Sequence, residues 1–387
     1  MNIREADQTY VANTYGRFDL TLVEGKGSLI RDDAGKTYID LGTGIAVNIF
    51  GVADEAWQQA VLEQMARLPH ACNLYYTAPQ AELAMLLCQK TGMKKVFFGN
   101  SGAEANECAI KVARKFAYDT KAEENPVIVT LNNSFHGRTV TTLSATGQDS
   151  FHQYFGPFTP GFMHVDPDDF SQMASALENT RVCAVLLEMV QGEGGVHVLD
   201  MGYVQKVAAL CRDKGVLLLV DEVQTGNGRT GELYAYMHYG ISPDVVSTAK
   251  GLGGGLPIGA CLMNDKTAGV LSSGTHGSTF GGNPVCAAGA LSIVKRLDDA
   301  LLKSVREKGK YIVESLQNAP GVKSVSGLGL MLGVETEKPA REVVAACQSK
   351  GVLVLTAKHK VRLLPALNIP MDLIIQGIEI LKEAIHP

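Results

Sequence analysis

From Lys95 to about Leu262, short apolar runs alternate with stretches in which apolar residues recur every three or four positions. The short runs predict strands at Lys95 to Phe98, Pro126 to Leu131, Arg181 to Leu187, Val216 to Val220, Asp244 to Ser247 and Ile258 to Met263. Between them, Ala103 to Tyr118 and Tyr203 to Lys214 have helical spacing, with Val204, Val207, Ala208 and Cys211 on one stripe. Such alternation is the signature of βαβ units, so the expected class is α/β, with a mostly parallel sheet wrapped by helices on both faces.

After Pro284 the pattern changes. A long helical stretch to about Gln317 precedes a glycine-broken strand pair from Val322 to Glu335, a helix from Pro339 to Lys350, two short strands and a last helix from Met371 to Ile385. That reads as a smaller α+β unit. Near the start, Gly35-Lys36 predicts a turn between strand-like Gly27 to Ile30 and Thr37 to Asp40. The expected division is an N-terminal segment (1–50) packing on the small domain, a large domain (51–290) and a C-terminal small domain (291–387).

Composition narrows the class. The 387 residues are 46% hydrophobic and 19% charged, enough for a sizeable core. A net charge of −5, with no basic run longer than Lys94-Lys95, leaves no footprint for nucleic acid or an anionic membrane. The eight cysteines are scattered without a Cys-x-x-Cys and read as reduced thiols. The charged start Met1-Asn-Ile-Arg-Glu-Ala-Asp7 lacks a secretory or transit pattern, and no apolar stretch approaches the ~20 residues that span a bilayer. A cytoplasmic protein is expected. No His-Glu-x-x-His or similar spacing predicts a metal.

The chemistry is concentrated where strands end, which is where open α/β sheets bind ligands. Val216-Leu-Leu-Leu-Val220 ends in Asp221, and Asp244-Val-Val-Ser-Thr-Ala249 ends in Lys250. A carboxylate there can keep a pyridine nitrogen protonated, and a lysine there can bond an aldehyde, which together point to pyridoxal phosphate. The rival reading, a nucleotide hydrolase, needs a P-loop; Gly35-Lys36-Thr37 has Ile30 where its first glycine belongs. Gly226-Asn-Gly-Arg-Thr-Gly231 matches a dinucleotide fingerprint in letters but not in position after a strand, and reads as a loop.

Other strand ends add parts. Asn100-Ser-Gly-Ala-Glu-Ala-Asn-Glu107 opens a helix with small residues and a serine, a phosphate cup if not a plain Ser cap. Phe135-His-Gly-Arg138 offers a ring to stack on pyridine and an arginine fork for a carboxylate; alone, Arg138 would be a surface ion-pair partner and His136 a structural residue. Glu193, in Glu188-Met-Val-Gln-Gly-Glu193, and Thr279, in His276-Gly-Ser-Thr-Phe-Gly-Gly282, would singly pass for loop residues.

Together these residues resemble the fold-type I, class III (ω-amino) aminotransferases, from about Tyr15 to Arg362. Asp221-Glu-Val-Gln-Thr-Gly-x-Gly-Arg-Thr-Gly231 and Ala249-Lys-Gly-Leu-Gly-Gly-Gly-Leu-Pro-Ile-Gly259 carry the likeness most specifically. The resemblance implies that Lys250 bonds the cofactor aldehyde, Asp221 pairs with the ring nitrogen, Gln224 contacts the ring hydroxyl and Phe135 stacks on the ring. Ser101, Gly102 and Ala103 would bind the phosphate, with Thr279 reaching it from the neighbouring subunit of a homodimer. Arg138 would hold the substrate α-carboxylate, and Glu193 with Arg362 would form a switch that admits an ω-amino donor when joined and the second carboxylate of 2-oxoglutarate when apart.

Within the family the chain is most similar to members that take the terminal amino group of N2-acetylornithine, in arginine biosynthesis. Gly44 stands where ornithine-specific members carry a tyrosine, and Tyr15 and Arg17 fit the acetylornithine pattern, with Tyr15 lining the acyl end of the pocket. Other donors on the same scaffold are N-succinylornithine, acylated diaminopimelate, ornithine and 4-aminobutyrate. Racemase or aminomutase chemistry would need no 2-oxoglutarate, and a retired ligand-sensing scaffold would have lost Lys250 or gained a DNA-binding region. Two departures stand out: Asn48-Ile-Phe-Gly-Val-Ala-Asp-Glu55 replaces the usual Gly-His-x-His-Pro stretch, and Met189 replaces the proline after Glu188.

Overall fold

The computed structural model describes residues 2–386. Its centre is a seven-stranded sheet of β1 (Lys95–Gly99), β2 (Val127–Leu131), β3 (Phe162–Val165), β4 (Val182–Leu187), β5 (Leu217–Asp221), β6 (Val245–Thr248) and β7 (Gly259–Met263), in the order β1-β7-β6-β5-β4-β2-β3. Only β7 runs antiparallel to its neighbours. The expected strands are all present; β3, which sits at the sheet edge, was not expected.

Both faces are covered, so the central strands are buried along their whole length. The two-residue period of a strand divides them between two cores. Leu217 and Leu219 join Ala109, Val112 and Ala113 of the helix Gly102–Lys121. Leu218 and Val220 join Val204, Val207 and Cys211 of the helix Met201–Lys214 on the other face. Asp221, the last residue of β5, pairs in register with Ser247 of β6, so the polar groups begin where the apolar run stops.

Towards the C-terminus the expected long helix is two, Pro284–Arg296 and Asp299–Leu316. The chain breaks between them because Asp298 caps the second helix through the Leu301 N–H at 2.9 Å. Strands Val322–Leu328, Met331–Thr336, Lys360–Leu363 and Leu355–Ala357 form an antiparallel sheet, flanked by the helices Ala340–Ser349 and Met371–Ile385. Val352–Leu353 is a third short strand in this region; it pairs in parallel with Thr37–Asp40, which together with Leu22–Lys26 and Leu29–Asp32 forms the N-terminal sheet.

The departure at Asn48–Glu55 is accommodated locally. Asp54 caps the helix Glu55–Arg67 through the Trp57 N–H at 2.9 Å and forms an ion pair with Arg296, whose Nη1 donates to Oδ2 at 3.0 Å and whose Nη2 lies 2.8 Å from Oδ1. Trp57 Nε1 then donates to the Gly253 carbonyl at 3.0 Å, tying this segment to the loop that follows Lys250. Gly51 is required there, since a Cβ would lie 2.5 Å from the Gly27 carbonyl oxygen. Met189 is fully buried, its carbonyl accepting from the Tyr239 hydroxyl at 3.3 Å.

Candidate active site

The ends of β4, β5 and β6 bring Glu188, Asp221 and Lys250 to one side of the sheet. Asp221 is buried, and its Oδ2 accepts from Asn106 Nδ2 at 2.7 Å and from His136 Nδ1 at 2.8 Å, while Oδ1 accepts the Val223 N–H at 2.9 Å. Asn106 is itself fixed: Nδ2 also donates to the His136 carbonyl at 2.8 Å, and Oδ1 accepts from Ser247 Oγ at 2.5 Å. Neither Asn106 nor His136 was expected to serve the site. Asn106 lies inside a helix, yet its place one turn after Ser101 turns it toward the sheet end.

Lys250 opens a short 3-10 turn with φ of 46°. Burial pulls its amine below the ordinary lysine value, against the nearby Glu193, Asp221 and Glu188 carboxylates and together with Arg362. A lysine shifted this way is a better nucleophile near neutral pH. Burial, with the adjacent Asp221, holds the Glu188 carboxyl well above the usual range. Glu188 Oε1 accepts the Phe135 N–H at 2.9 Å and so fixes the backbone that carries that ring.

On the other side, Arg362 of the C-terminal sheet reaches across. Its Nη1 donates to Glu193 Oε1 at 2.6 Å and to Gln224 Oε1 at 3.0 Å, while Gln224 Nε2 lies 3.4 Å from the same Glu193 oxygen. Burial would raise the Glu193 carboxyl, but Arg362, Lys250 and Gln224 bring it below its ordinary value. Gly192 makes room for this cluster: a Cβ there would sit 2.6 Å from the Gln224 side chain.

The helix Gly102–Lys121 begins beside the site. Ser101 Oγ accepts the Glu104 N–H at 3.1 Å, and Glu104 reaches back to the Asn100 N–H at 2.7 Å. The N–H groups of Gly102 and Ala103 stand at the start, where a helix offers its own unbonded donors and the positive end of its dipole. A Cβ on Gly102 would lie 2.5 Å from Val223, so this helix start is pressed against the segment after Asp221. The donors fit a phosphate, the Asp221 carboxylate a protonated ring nitrogen, and the Lys250 amine an aldehyde; that set matches pyridoxal phosphate.

The remaining expected residues lie further out. Arg138 is exposed, its guanidinium 4.1 Å from the Phe151 ring centre and 5.6 Å from that of Phe135. Thr279 is exposed in the single chain; its loop rests against the start of the helix Gly102–Lys121 through Asn100 Nδ2 to Ser278 Oγ at 3.1 Å. Tyr15 is exposed and stacked under Arg17, which pairs with Asp7 at 2.7 Å; it lines a cavity of N-terminal residues that includes none from the Lys250 cluster. Gly44 has φ of 62° and lines a mostly apolar cavity of about 440 Å³ with Arg17, Phe18, Ile45 and Leu355.

Residues 10–385 match the family described as aminotransferase class-III. A Haemophilus ducreyi acetylornithine aminotransferase is 49% identical over 99% of this chain and 98% of its own, and one from Methanocaldococcus jannaschii is 42% identical over 95% and 94%. Among solved structures, Toxoplasma gondii ornithine aminotransferase superposes with a TM-score of 0.95 at 32% identity, covering 99% of this chain and 93% of that one. Stenotrophomonas maltophilia N-acetylornithine aminotransferase superposes at 0.85 and 33% identity, covering 98% of each.

Proposed function

Because the chain belongs to the class III aminotransferases and is a pyridoxal-phosphate-dependent enzyme, we propose that its amino donor is N2-acetylornithine and its acceptor 2-oxoglutarate. The products are N-acetylglutamate 5-semialdehyde and glutamate, a step of arginine biosynthesis. The choice of donor rests on the acetylornithine relatives and on Gly44, and what carries an ω-amino donor with 2-oxoglutarate is the Glu193–Arg362 pair, closed at 2.6 Å within reach of Lys250. Closed, it presents a neutral wall to the chain of an ω-amino donor; opened, it frees one guanidinium for the distal carboxylate of 2-oxoglutarate.

When bound, pyridoxal phosphate supplies an aldehyde to carry the amino group and a ring to take up electrons. The protein's own residues do the rest. Lys250 would hold the aldehyde through its amine and, with that amine free, would carry a proton to and from the substrate carbon. Asp221 would hold the ring-nitrogen proton, Gln224 would contact the ring hydroxyl, and Phe135 would cover one face. Ser101, Gly102 and Ala103 hold the phosphate, and Arg138 the α-carboxylate of either substrate. Gly44 would accommodate the acyl end, where a glycine leaves space that the tyrosine of ornithine-specific enzymes would fill; the expected part of Tyr15 in that pocket has no support in this chain, where it lies on a separate N-terminal cavity.

The working unit in this reading is a homodimer, with Thr279 reaching the partner's phosphate. Thr279 is exposed beside Phe280, and Leu74, Tyr75 and Tyr76 are exposed as well, apolar surface of the kind that marks a protein interface. A cytoplasmic location fits the eight free cysteines.

The test is the visible spectrum of the purified holoenzyme. The band of the lysine-bound cofactor should bleach with N-acetylornithine and return with 2-oxoglutarate. A band that bleaches only with free ornithine or 4-aminobutyrate would replace the donor, and one that persists in Lys250→Ala would remove Lys250 from its role.

A further inference from the structure

After the strand Thr37–Asp40 the backbone makes a turn that L-residues avoid. Thr43, Gly44, Ile45 and Ala46 have φ of 47, 62, 65 and 62°, four consecutive left-handed residues of which one is glycine and two are β-branched. A β-branched residue at positive φ is an outlier. Strain of this kind persists where the surroundings over-determine it, and it gathers at functional sites.

The surroundings are polar and buried. Asp40 Oδ1 accepts the N–H groups of Gly42 and Thr43 at 2.8 and 2.9 Å, and Thr43 Oγ1 donates to the Leu364 carbonyl at 2.6 Å. Arg229, 1% exposed, makes no direct ion pair with Asp40, but its charge lowers the Asp40 carboxyl against burial; its Nη1 bonds the carbonyls of Leu330, at 3.1 Å, and Pro365. The N-terminal segment, the loop after Asp221 and the C-terminal unit therefore meet behind this turn.

Its other side rests on the Lys250–Leu252 segment. A Cβ on Gly251 would lie 2.7 Å from Ile49 Cδ1 and 3.4 Å from the Ala46 carbonyl oxygen. From the same loop as Arg229, Asn227 Nδ2 donates to the Ala249 carbonyl at 3.2 Å and to Thr248 Oγ1 at 2.9 Å. The residues just before and just after Lys250 are thus gripped from one polar centre.

Both charges of that centre are costly to bury. Burial pulls Arg229 down to about 9 and pushes Asp40 up, so for both groups burial outweighs the opposite charge. Arg229 Nε and Nη2 have no hydrogen-bond partner. Asp40 bonds the turn directly, and Arg229 bonds the carbonyl of Pro365, the neighbour of the Leu364 that accepts from Thr43, so the two charges brace the turn from both sides.

We infer that Asp40 and Arg229 are positioning residues for Lys250: they hold the left-handed turn Thr43–Ala46 against the Lys250–Leu252 segment and so set where the lysine amine stands. The inference rests on Lys250 being the lysine that bonds the cofactor. Asp40→Asn keeps an oxygen for the Gly42 and Thr43 N–H groups but leaves Arg229 unopposed; Asp40→Asn with Arg229→Met removes both charges. Three quantities are read for each: the thermal midpoint of the cofactor-free protein, kcat against KM, and the pH midpoint at which the visible band of the lysine-bound cofactor changes form.

Asp40→Asn should lower the thermal midpoint, reduce kcat about tenfold with KM for 2-oxoglutarate little changed, and move the spectral midpoint by about half a pH unit or more. The double variant should recover the thermal midpoint but neither kcat nor the spectral midpoint. Gly251→Ala, pressing on Ile49 without touching the pair, should move the same spectral midpoint. A double variant that regains kcat and spectral midpoint along with stability overturns the inference alone. A visible band surviving in Lys250→Ala overturns the underlying reading, and the inference with it.

Discussion

Arg362 Nη1 lies 2.6 Å from Glu193 Oε1, joining the C-terminal sheet to the loop after β4 at the mouth of the site. Arg362 is 3% exposed, so its charge depends on that carboxylate and on Gln224 for company. Glu193→Ala would leave a buried cation facing the donor's chain. We expect KM for N-acetylornithine to rise roughly tenfold, about 1.4 kcal/mol, while KM for 2-oxoglutarate stays level or falls. Steady-state kinetics of the two half-reactions measured separately check this; equal changes in both would contradict the switch.

Asn106 is the least visible support of Asp221. Its amide bonds Asp221 Oδ2, the His136 carbonyl and Ser247 Oγ within 2.8 Å, all in a buried setting. Asn106→Ala should cost about 1–3 kcal/mol, because the His136 carbonyl and the Ser247 hydroxyl lose their partner while Asp221 Oδ2 keeps only His136. Loss of a donor to Asp221 should also lower kcat. Thermal unfolding of the cofactor-free protein, alongside kcat of the loaded enzyme, separates the two effects.

Gly102 packs where a Cβ would come within 2.5 Å of Val223. Gly102→Ala should push the helix start away from the segment after Asp221 and weaken cofactor retention about tenfold or more. Val223→Ala restores the missing space, so the double variant should regain most of the affinity. Equilibrium titration with pyridoxal phosphate measures it, and a double variant no better than the single would assign the defect to something other than this contact.

These residues differ in how far the sequence disclosed them. Asp221 and Lys250 were legible because each ends an apolar run, and strand order places such ends together whatever the loops do. The helix opening at Ser101–Ala103 was legible from small residues ahead of an amphipathic stretch. Asn106 was not, since a polar residue on a helix looks solvent-facing until the helix is seen packed along the sheet face over β5, β6 and β7. The left-handed turn left no trace either: Thr43, Ile45 and Ala46 are residues that normally forbid it, and its hydrogen bonds come from Asp40 and the distant Leu364. The strand Phe162–Val165 was hidden because an edge strand needs only one neighbour and carries no continuous β-branched run.

Thr279 tests the dimer. If it completes the partner's site, Thr279→Ala and Lys250→Ala chains refolded together will form hybrids in which one site has both residues and the other has neither. Random pairing should then restore about a quarter of wild-type activity from two variants that are each weak alone. Activity equal to the mean of the separate variants would place Thr279 within its own subunit's structure.

Glu222, the residue after Asp221, sets a pH dependence of its own. It is fully buried beneath Asp221, with Thr225 Oγ1 donating to it at 2.5 Å and the Tyr236 N–H at 2.8 Å. Burial raises its carboxyl from 4.5 to about 7, more than these hydrogen bonds lower it. The folded protein therefore binds this proton more tightly than the unfolded chain does. The stability it contributes is fully present below pH 4.5 and is lost as pH rises through about 7, by about 3 kcal/mol at most. Glu222→Gln keeps an acceptor for the Tyr236 N–H without a titrating proton. Thermal midpoints compared from pH 5 to 8 should show the variant gaining on wild type as pH rises; parallel profiles would mean that Glu222 stays charged in the folded protein.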